Sequence, residues 1–321
     1  MAEQRVPIEV DGRRLTLSNL SKILYPPTDG SHGLSKAEVV DYYTRAAPAL
    51  LPHVVDRPMT FTRWPDGVTG KTFFEKNAPS HTPDWVRRVT LPSPGSGQRR
   101  ETIDYVLVQD LPTLVWAANL AALELHVPQW TVDATGRPRD PDLVVLDLDP
   151  GPPATVVECC QVALALRDRL AADGLTGYPK TSGSKGMQIY VPVRPAPAER
   201  TSGYAKVLAE DLERAHPDRV VSRMAKALRP GKVFVDWSQN NAAKTTVAAY
   251  SLRARALPTV STPVTWDEVA ACREPQDLRF VTGQVLARLD QDGDLLAPIA
   301  QDTGGAGPGR PRLPDRPSSA G

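Results

Sequence analysis

The sequence predicts an α+β fold with mixed or antiparallel sheets flanked by helices, because strand pairs and capped helices are mixed along the chain. Residues 6–17 alternate around the turn-forming pair Asp11-Gly12, which is typical of a hairpin. A capping box at 35–38 predicts a helix that runs to about Leu50. Residues 178–191 read as two strands joined by a short polar turn.

The composition excludes some classes of protein but does not indicate a binding partner. The 321 residues carry 38 basic and 37 acidic side chains, so only local clustering can indicate nucleic-acid binding. Cys159, Cys160 and Cys272 lack C-x-x-C spacing, and we expect neither zinc nor a disulfide framework. The chain has no apolar run of about 18 residues and no signal peptide at Met1. These features predict a cytoplasmic protein without a membrane segment.

The remaining elements follow from apolar periodicity and capping signals. Helices are predicted at Leu111–Leu125, Ala154–Ala172, Trp266–Ala271 and Phe280–Leu289. Strands are predicted at Pro58–Trp64, Leu143–Pro150, Val233–Trp237 and Thr245–Arg253. We expect one domain over residues 1–295, followed by a disordered Gly, Pro and Arg tail or linker over 296–321.

The strand Leu143–Pro150 carries two acids close to its end. Asp147 and Asp149 are two residues apart, so a strand presents both on one face, where each disfavours ionisation of the other. A hard cation such as Mg²⁺ or Mn²⁺ between them would relieve this repulsion. The alternative is a strand end with two solvated acids.

Two other segments supply groups that suit phosphate chemistry. The turn Lys180-Thr181-Ser182-Gly183-Ser184-Lys185-Gly186 joins two strands and could cradle phosphate through backbone N–H groups, hydroxyls and a lysine. It is not a Walker A loop, since a strand follows it. Asp236 lies on another strand, and Arg253 ends a later one. Three carboxylates with such a cradle favour two-metal phosphoryl transfer.

Several other residues have two interpretations. Lys22 and Lys36 flank a loop and could grip a phosphate, although such lysines are more often merely solvated. For the adjacent Phe73 and Phe74 we favour partial burial of both over an exposed ring that stacks on a base. A lone His126 is more often structural than catalytic.

Basic residues cluster in two stretches. Arg87-Arg88 and Arg99-Arg100 flank a Gly/Ser/Pro loop at 93–98, which predicts a flexible, basic excursion. The run from Arg219 to Lys232 is commonly a solvated face, and it could instead meet phosphates.

A set of motifs, taken together, resembles the polymerase domain of bacterial ligase D, in the archaeo-eukaryotic primase superfamily. The motifs span about residues 5–290 and are Asn19-Leu20-Ser21-Lys22, Arg63-Trp64-Pro65-Asp66-Gly67, Phe73-Phe74-Glu75-Lys76-Asn77, Glu124-Leu125-His126-Val127-Pro128-Gln129-Trp130, Asp147-Leu148-Asp149-Pro150, Thr181-Ser182-Gly183-Ser184-Lys185-Gly186 and Val235-Asp236-Trp237-Ser238-Gln239-Asn240. The resemblance implies a primase-like fold and a nucleotidyltransferase that extends primers and fills short gaps at 5′-phosphorylated breaks.

The resemblance also implies roles for individual residues. Catalysis and the binding of two ions, Mn²⁺ or Mg²⁺, would fall to Asp147, Asp149 and Asp236. Nucleotide binding would involve His126, Ser182, Lys185, Gln188, Gln239 and Arg253. A DNA 5′-phosphate would meet Asn19, Lys22 and Lys36. Template stacking would involve Phe73 and Phe74, and further DNA contacts Arg63 and Arg229.

The implied partners are DNA ends and gaps, NTPs or dNTPs with ribonucleotides favoured, Ku and a DNA ligase, in non-homologous end joining at a bacterial nucleoid. Two alternatives remain open: a primase that starts chains, and a non-catalytic module that bridges DNA ends. Gln188 stands where many relatives have His, and Thr62 where some have Lys. Because no ligase or nuclease module is present, we expect a stand-alone polymerase or an excised domain.

Overall fold

The computed structural model describes residues 5–29, 32–92, 101–300, 309–315 and 317. The helices in this part of the chain are α1 (Lys36–Leu50), α2 (Leu111–Asn119), α3 (Val156–Ala172), α4 (Ala198–Ala215), α5 (Trp266–Ala271), α6 (Thr282–Asp292) and α7 (Ala297–Ala300). The strands are β1 (Arg5–Val10), β2 (Arg13–Ser18), β3 (Ile23–Tyr25), β4 (Leu34–Ser35), β5 (Pro58–Arg63), β6 (Phe73–Glu75), β7 (Arg88–Pro92), β8 (Thr102–Leu107), β9 (Ala122–Val127), β10 (Leu143–Pro150), β11 (Tyr178–Thr181), β12 (Met187–Pro192), β13 (Val220–Val221), β14 (Val233–Asp236) and β15 (Thr246–Val247).

Two larger sheets form the framework. One has the order β11-β12-β10-β14-β13, antiparallel except for the parallel pair β13 and β14. The other has the order β15-β9-β5-β8-β7, with β6 also paired to β5. Strands β1 and β2 form a separate hairpin, and β3 pairs with β4. The predicted α+β class with mixed and antiparallel sheets is confirmed.

Strand β10 lies between two hydrophobic cores. Its even-numbered residues Val144, Leu146 and Leu148 pack into the core that also contains the buried face of α3. Leu143 and Val145 belong to the other core, with much of α1 and α2. The same alternation sends Asp147 and Asp149 to the face of Val145, away from α3.

Capping signals located several helices correctly. Ser35 and Glu38 form the predicted capping box at α1, and Thr265 with Glu268 does the same at α5. Helix α3 begins after Thr155, which caps it together with Glu158. Each cap satisfies N–H groups that the first helical turn leaves without partners.

The predicted helix at Leu111–Leu125 is wrong in its second half. Helix α2 ends at Asn119, and Ala121 then adopts a left-handed backbone conformation with φ of 55°. The chain next forms β9, which pairs with β5 and β15. Alanine and leucine fit both periodicities, so sheet pairing decided the outcome. The strand predicted at Thr245–Arg253 is likewise limited to β15.

The C-terminal residues also depart from the prediction. The disordered tail expected over 296–321 does not hold for α7 or for 309–315, where Arg310 and Leu313 are buried. Arg310 donates to the Asp142 carboxylate, and Arg194 donates to the Arg310 carbonyl. The predicted basic loop at 93–98 lies outside the described residues. No helix among the described residues is long and apolar enough to cross a membrane.

Candidate active site

Four polar side chains form a row across the sheet that contains β10. Asp147 pairs with Asp236 on β14 and with Gln188 on β12, and Gln188 pairs with Lys180 on β11. Directly opposed residues in antiparallel strands point to the same face. All four are largely buried, with Asp147 9% and Lys180 0% exposed. A buried polar row of this kind needs a partner or a function.

The carboxyl groups of Asp147 and Asp149 are electrostatically strained. Burial raises the pKa of Asp147, and the charges of Asp149 and Asp236 raise it further. Loss of water around Asp149 and the charge of Asp236 raise the pKa of Asp149 as well. The donor set therefore fits a divalent cation, which would relieve this repulsion.

Asp236 is oriented by its own hydrogen bonds. Its Oδ1 accepts from the backbone N–H of Ser238 at 3.0 Å and from the Ser238 hydroxyl at 2.5 Å. Its Oδ2 accepts from Gln239 at 2.9 Å. In the described part of the chain no three His, Cys, Asp or Glu side chains are arranged to hold one metal ion. The chemistry of Asp147 and Asp149 suits a cation, and Asp236 is held beside them by Ser238 and Gln239.

A cavity of about 740 Å³ opens beside this row. Of the predicted nucleotide-binding and catalytic residues, those that line it are His126, Asp147, Asp149, Ser182, Lys185, Gln188, Gln239 and Arg253. The structure therefore brings most of the predicted site together around one space. Asp236 and Arg229 are not among the described residues that line it.

The turn from Ser182 to Gly186 forms one wall of the cavity. The Ser182 hydroxyl accepts from the N–H groups of Ser184 and Gly186, each at 3.2 Å. Gly183 has φ of 65°, and a Cβ there would lie 2.6 Å from the Val260 carbonyl carbon. Only glycine fits this position. The tight turn leaves Lys185 exposed at the cavity.

Glu124 holds the cationic side of the cavity in place. Its Oε1 accepts from Arg253 Nε at 3.1 Å, and its Oε2 contacts His126 Nε2 at 3.0 Å. Burial alone would raise the pKa of Glu124, but the hydrogen bond to His126 and the charge of Arg253 outweigh it and lower the pKa to about 2. Arg253 also donates to the Ser182 carbonyl, which ties it to the turn.

Sequence reasoning assigned no role to several residues of the site. Glu124 was noted only as part of a motif. Because it lies two residues before His126, a strand would place both side chains on one face, and this spacing could have indicated their contact. Arg255 and Arg279 line the cavity as exposed cations. Lys180 is fully buried, and burial lowers its pKa despite the nearby Asp147. Its place in the row depends on strand register, which the sequence does not reveal.

Asn19, Lys22 and Lys36 lie together outside the cavity. Lys22 N donates to the Asn19 carbonyl at 3.0 Å, and Lys36 N donates to the Lys22 carbonyl at 2.8 Å. The Lys22 ammonium contacts Asp66 at 2.7 Å, and Lys36 contacts the Ser18 hydroxyl at 3.2 Å. The predicted phosphate-binding residues thus form a local group at the start of α1.

Phe73 and Phe74 are both exposed, at 42% and 64%. The expectation that both rings are partly buried is wrong, because β6 is a short strand whose only described pairing is with β5. Lys71 lies 5.2 Å from the Phe73 ring centroid, and Lys76 lies 5.9 Å from that of Phe74. Arg63, on the paired strand, contacts Glu75 at 2.7 Å.

Several described residues of the basic stretches contact other parts of the protein. Arg87 contacts Asp56 and Arg88 contacts Asp104. The Arg229 guanidinium lies 3.8 Å from the Phe234 ring centroid and donates to the Met224 carbonyl.

A family model and several known proteins are similar to this chain. The family model described as LigD, primase-polymerase domain matches residues 35–296. The multifunctional non-homologous end joining protein LigD of Mycolicibacterium smegmatis is 45% identical over 90% of this chain and 36% of its own length. The bifunctional LigD of Bacillus subtilis is 31% identical over 87% of this chain and 43% of its own length. The chain thus spans well under half of these relatives.

One solved structure is also similar. The polymerase domain of Mycobacterium tuberculosis ligase D, in complex with DNA, superposes with a TM-score of 0.83 at 41% identity. The similarity covers 90% of this chain and 99% of that domain. This agreement confirms the predicted primase-polymerase architecture.

Proposed function

The chain belongs to the LigD primase-polymerase domain family, whose members are nucleotidyltransferases, and on this basis we propose that it extends primers and fills short gaps at 5′-phosphorylated DNA breaks. The substrates are a primed template and nucleoside triphosphates, with ribonucleotides favoured. The observation that carries the proposal is the cavity in which the carboxylates of Asp147 and Asp149 meet the cationic turn at Lys185.

Different side chains of the cavity make different contributions to the binding of a triphosphate. Lys185 and Arg253 supply positive charge for the phosphates, and the N–H groups of the turn donate hydrogen bonds. Glu124 fixes Arg253 and His126 before the nucleotide arrives, so little orientation remains to be lost on binding. Gln188 and Gln239 complete the nucleotide-binding set.

Asp147, Asp149 and Asp236 would hold two divalent cations, Mn²⁺ or Mg²⁺. When bound, these ions would lower the pKa of the primer 3′-hydroxyl and stabilise the pyrophosphate leaving group. Gln188 hydrogen-bonds the carboxylate of Asp147, and Gln239 donates a hydrogen bond to that of Asp236. The two glutamines would therefore orient the metal-binding carboxylates as well as contact the nucleotide.

The DNA would contact surfaces outside the cavity. Asn19, Lys22 and Lys36 would bind the 5′-phosphate, for which Lys22 must exchange its contact with Asp66. The exposed rings of Phe73 and Phe74 would stack on template bases. Arg63 and Arg229 would add DNA contacts. The DNA complex of the M. tuberculosis domain supports this part of the proposal.

The pathway we propose is non-homologous end joining at the bacterial nucleoid, with Ku and a DNA ligase as partners. The support comes from the relatives, which are end-joining proteins much longer than this chain. The sequence fits a polymerase domain that acts beside, or within, such a repair protein.

A primer-extension assay tests the function. We would offer a gapped duplex with a 5′-phosphate, with Mn²⁺ or Mg²⁺ and NTPs or dNTPs. The wild type should add nucleotides, whereas Asp147→Ala combined with Asp149→Ala should add none. Asp218→Asn, which changes an exposed acid outside the cavity, should behave as the wild type.

Other outcomes separate the alternatives. Products formed on a template without a primer would indicate a primase. Tight binding of the gapped duplex without extension under any condition would indicate an end-bridging module. Equal extension by wild type and the double variant would refute the assignment of the carboxylates.

A further inference from the structure

Gln188 has a hydrogen-bond acceptor without a partner. Its side chain is 3% exposed and lines the cavity. Its amide group donates a hydrogen bond to Asp147, whereas Oε1 has no hydrogen-bond partner among the described residues. An unsatisfied buried acceptor costs free energy unless something that enters the site supplies a donor.

The orientation of this amide follows from its neighbour. Asp147 lies directly opposite Gln188 in the β10–β12 register, and a carboxylate can only accept hydrogen bonds. The NH₂ group must therefore face Asp147, because the reverse orientation would place two oxygens against each other. Oε1 is consequently the side-chain atom of Gln188 that is left buried without a partner among the described residues.

The protein itself offers no free donor to this oxygen. Lys180 lies opposite Gln188 on the other side, but its ammonium donates to the Ser261 hydroxyl at 2.5 Å and lies 5.1 Å from the Tyr190 ring centroid. The Tyr190 hydroxyl donates to the Val247 carbonyl at 3.1 Å. Neither of these contacts supplies a hydrogen bond to Gln188 Oε1, which has no partner among the described residues.

The chemistry of the proposed substrate limits which group can serve as the donor. Phosphate oxygens only accept hydrogen bonds, so the triphosphate cannot satisfy Oε1. With phosphates at Lys185 and the reacting phosphate near Asp147, the nearest donors along the nucleotide are the ribose hydroxyls. Water bound to a cation is the other possible O–H donor.

We propose that Gln188 Oε1 accepts a hydrogen bond from a ribose hydroxyl of the bound nucleotide, which makes Gln188 a determinant of sugar specificity. The inference rests on the proposed function, since it takes a nucleoside triphosphate as the ligand. It adds a direct reading of the sugar by a residue that also orients Asp147. A site that satisfies a buried acceptor only with a hydroxyl discriminates against the deoxy analogue.

Equilibrium binding without primer DNA isolates this contact from catalysis. Isothermal titration calorimetry in Mn²⁺ would compare ATP, 2′-deoxy-ATP and 3′-deoxy-ATP for the wild type, Gln188→Met and Gln188→His. For the wild type, removal of the contacting hydroxyl should weaken binding about fivefold, the value of one neutral hydrogen bond. Gln188→Met should bind ATP about fivefold more weakly and no longer distinguish the analogues.

Two further variants control for structure. Gln188→His keeps a donor for Asp147 and has a second ring nitrogen that can accept, so it should retain part of the discrimination. Gln161→Met, an exposed change on α3, should leave the affinity ratios at wild-type values.

The inference would be overturned if the ratio of the affinity for ATP to the affinity for each deoxy analogue were the same in Gln188→Met as in the wild type. The absence of any deoxy penalty in the wild type, a result that needs no variant to fold, would also overturn it. Weaker Mn²⁺ binding by Gln188→Met without nucleotide, at an unchanged sugar ratio, would assign the acceptor to cation-bound water and overturn it as well. Failure of the wild type both to bind ATP and to extend a gapped duplex would instead refute the proposed function.

Discussion

Asp147 on β10 stands directly opposite Asp236 on β14, and both side chains are buried on the same face of the sheet. Nothing in the hydrophobic cores requires two acids at this position, and their proximity opposes folding. Residues that lower the stability of the fold are expected at positions where function requires them.

Replacement of Asp147 by Asn should therefore separate stability from activity. The amide removes one of the repelling charges and can still accept the hydrogen bond from Gln188. We expect the free energy of unfolding at pH 8, without divalent cations, to rise by about 1 kcal/mol, while primer extension is lost. Urea unfolding provides the measurement, and added Mn²⁺ should stabilise the wild type only. A variant that is less stable yet active would contradict the assignment.

The strand periodicity of 143–150 was sufficient to predict that Asp147 and Asp149 share a face, since this depends only on local backbone geometry. The row with Lys180, Gln188 and Asp236 was not predictable, because it depends on the register of four strands, of which only β11 and β12 are neighbours in sequence. For the same reason, the network of Glu124 with Arg253 could not be derived from spacing alone.

Local signals were decisive where they were specific and failed where they were ambiguous. The capping box at Ser35 located α1, because it describes a hydrogen-bond pattern that the helix itself satisfies. The Ala- and Leu-rich stretch after Leu111 suits helix and strand alike, and pairing of β9 with β5 overrode the helical pattern. The exposure of Phe74 depends on β6 having no further described strand beside it.

Glu124 makes the stability of the fold sensitive to acid. Its folded-state pKa of about 2 lies below its usual value of 4.5, so its stabilising contribution is present above pH 4.5 and is lost as the pH falls towards 2. Glu124→Gln should reduce the free energy of unfolding at pH 7 by about 2–3 kcal/mol. The fall in stability between pH 4.5 and 2, the acid limb of the stability curve, should also become shallower in this variant. Urea unfolding between pH 3 and 7 measures both effects. The exposed change Glu210→Gln serves as the control, and an unchanged acid limb in Glu124→Gln would contradict the prediction.

Phe74 should matter for DNA and not for folding. The ring is 64% exposed, so Phe74→Ala should change the free energy of unfolding by less than about 0.5 kcal/mol. Loss of one base-stacking contact should weaken binding to a gapped duplex about tenfold. Fluorescence anisotropy with labelled DNA provides the measurement. Glu210→Ala, a change at an exposed side chain on α4, is the control. Equal weakening in both variants would argue against a specific stacking role.

The buried C-terminal segment at 309–315 should contribute to stability. Leu313 is 1% exposed and packs into the core beside β10, so Leu313→Ala should lower the free energy of unfolding by about 2–3 kcal/mol. The neighbouring exposed Arg312 provides a control in Arg312→Ala, which should be nearly neutral. Denaturant unfolding of the full chain distinguishes the two. Equal stability of both variants would show that the segment does not pack in solution.

Lys22 should recognise the 5′-phosphate of a gap. Its ammonium is partly exposed and shared with Asp66, so it can turn to a DNA phosphate at little cost. Lys22→Ala should weaken binding to a 5′-phosphorylated gap more than to a 5′-hydroxyl gap, and lower the slope of log affinity against log salt by about one. Lys206→Ala, on α4 and paired with Glu210, should change neither quantity. Equal weakening for both DNA ends would place Lys22 outside the phosphate pocket.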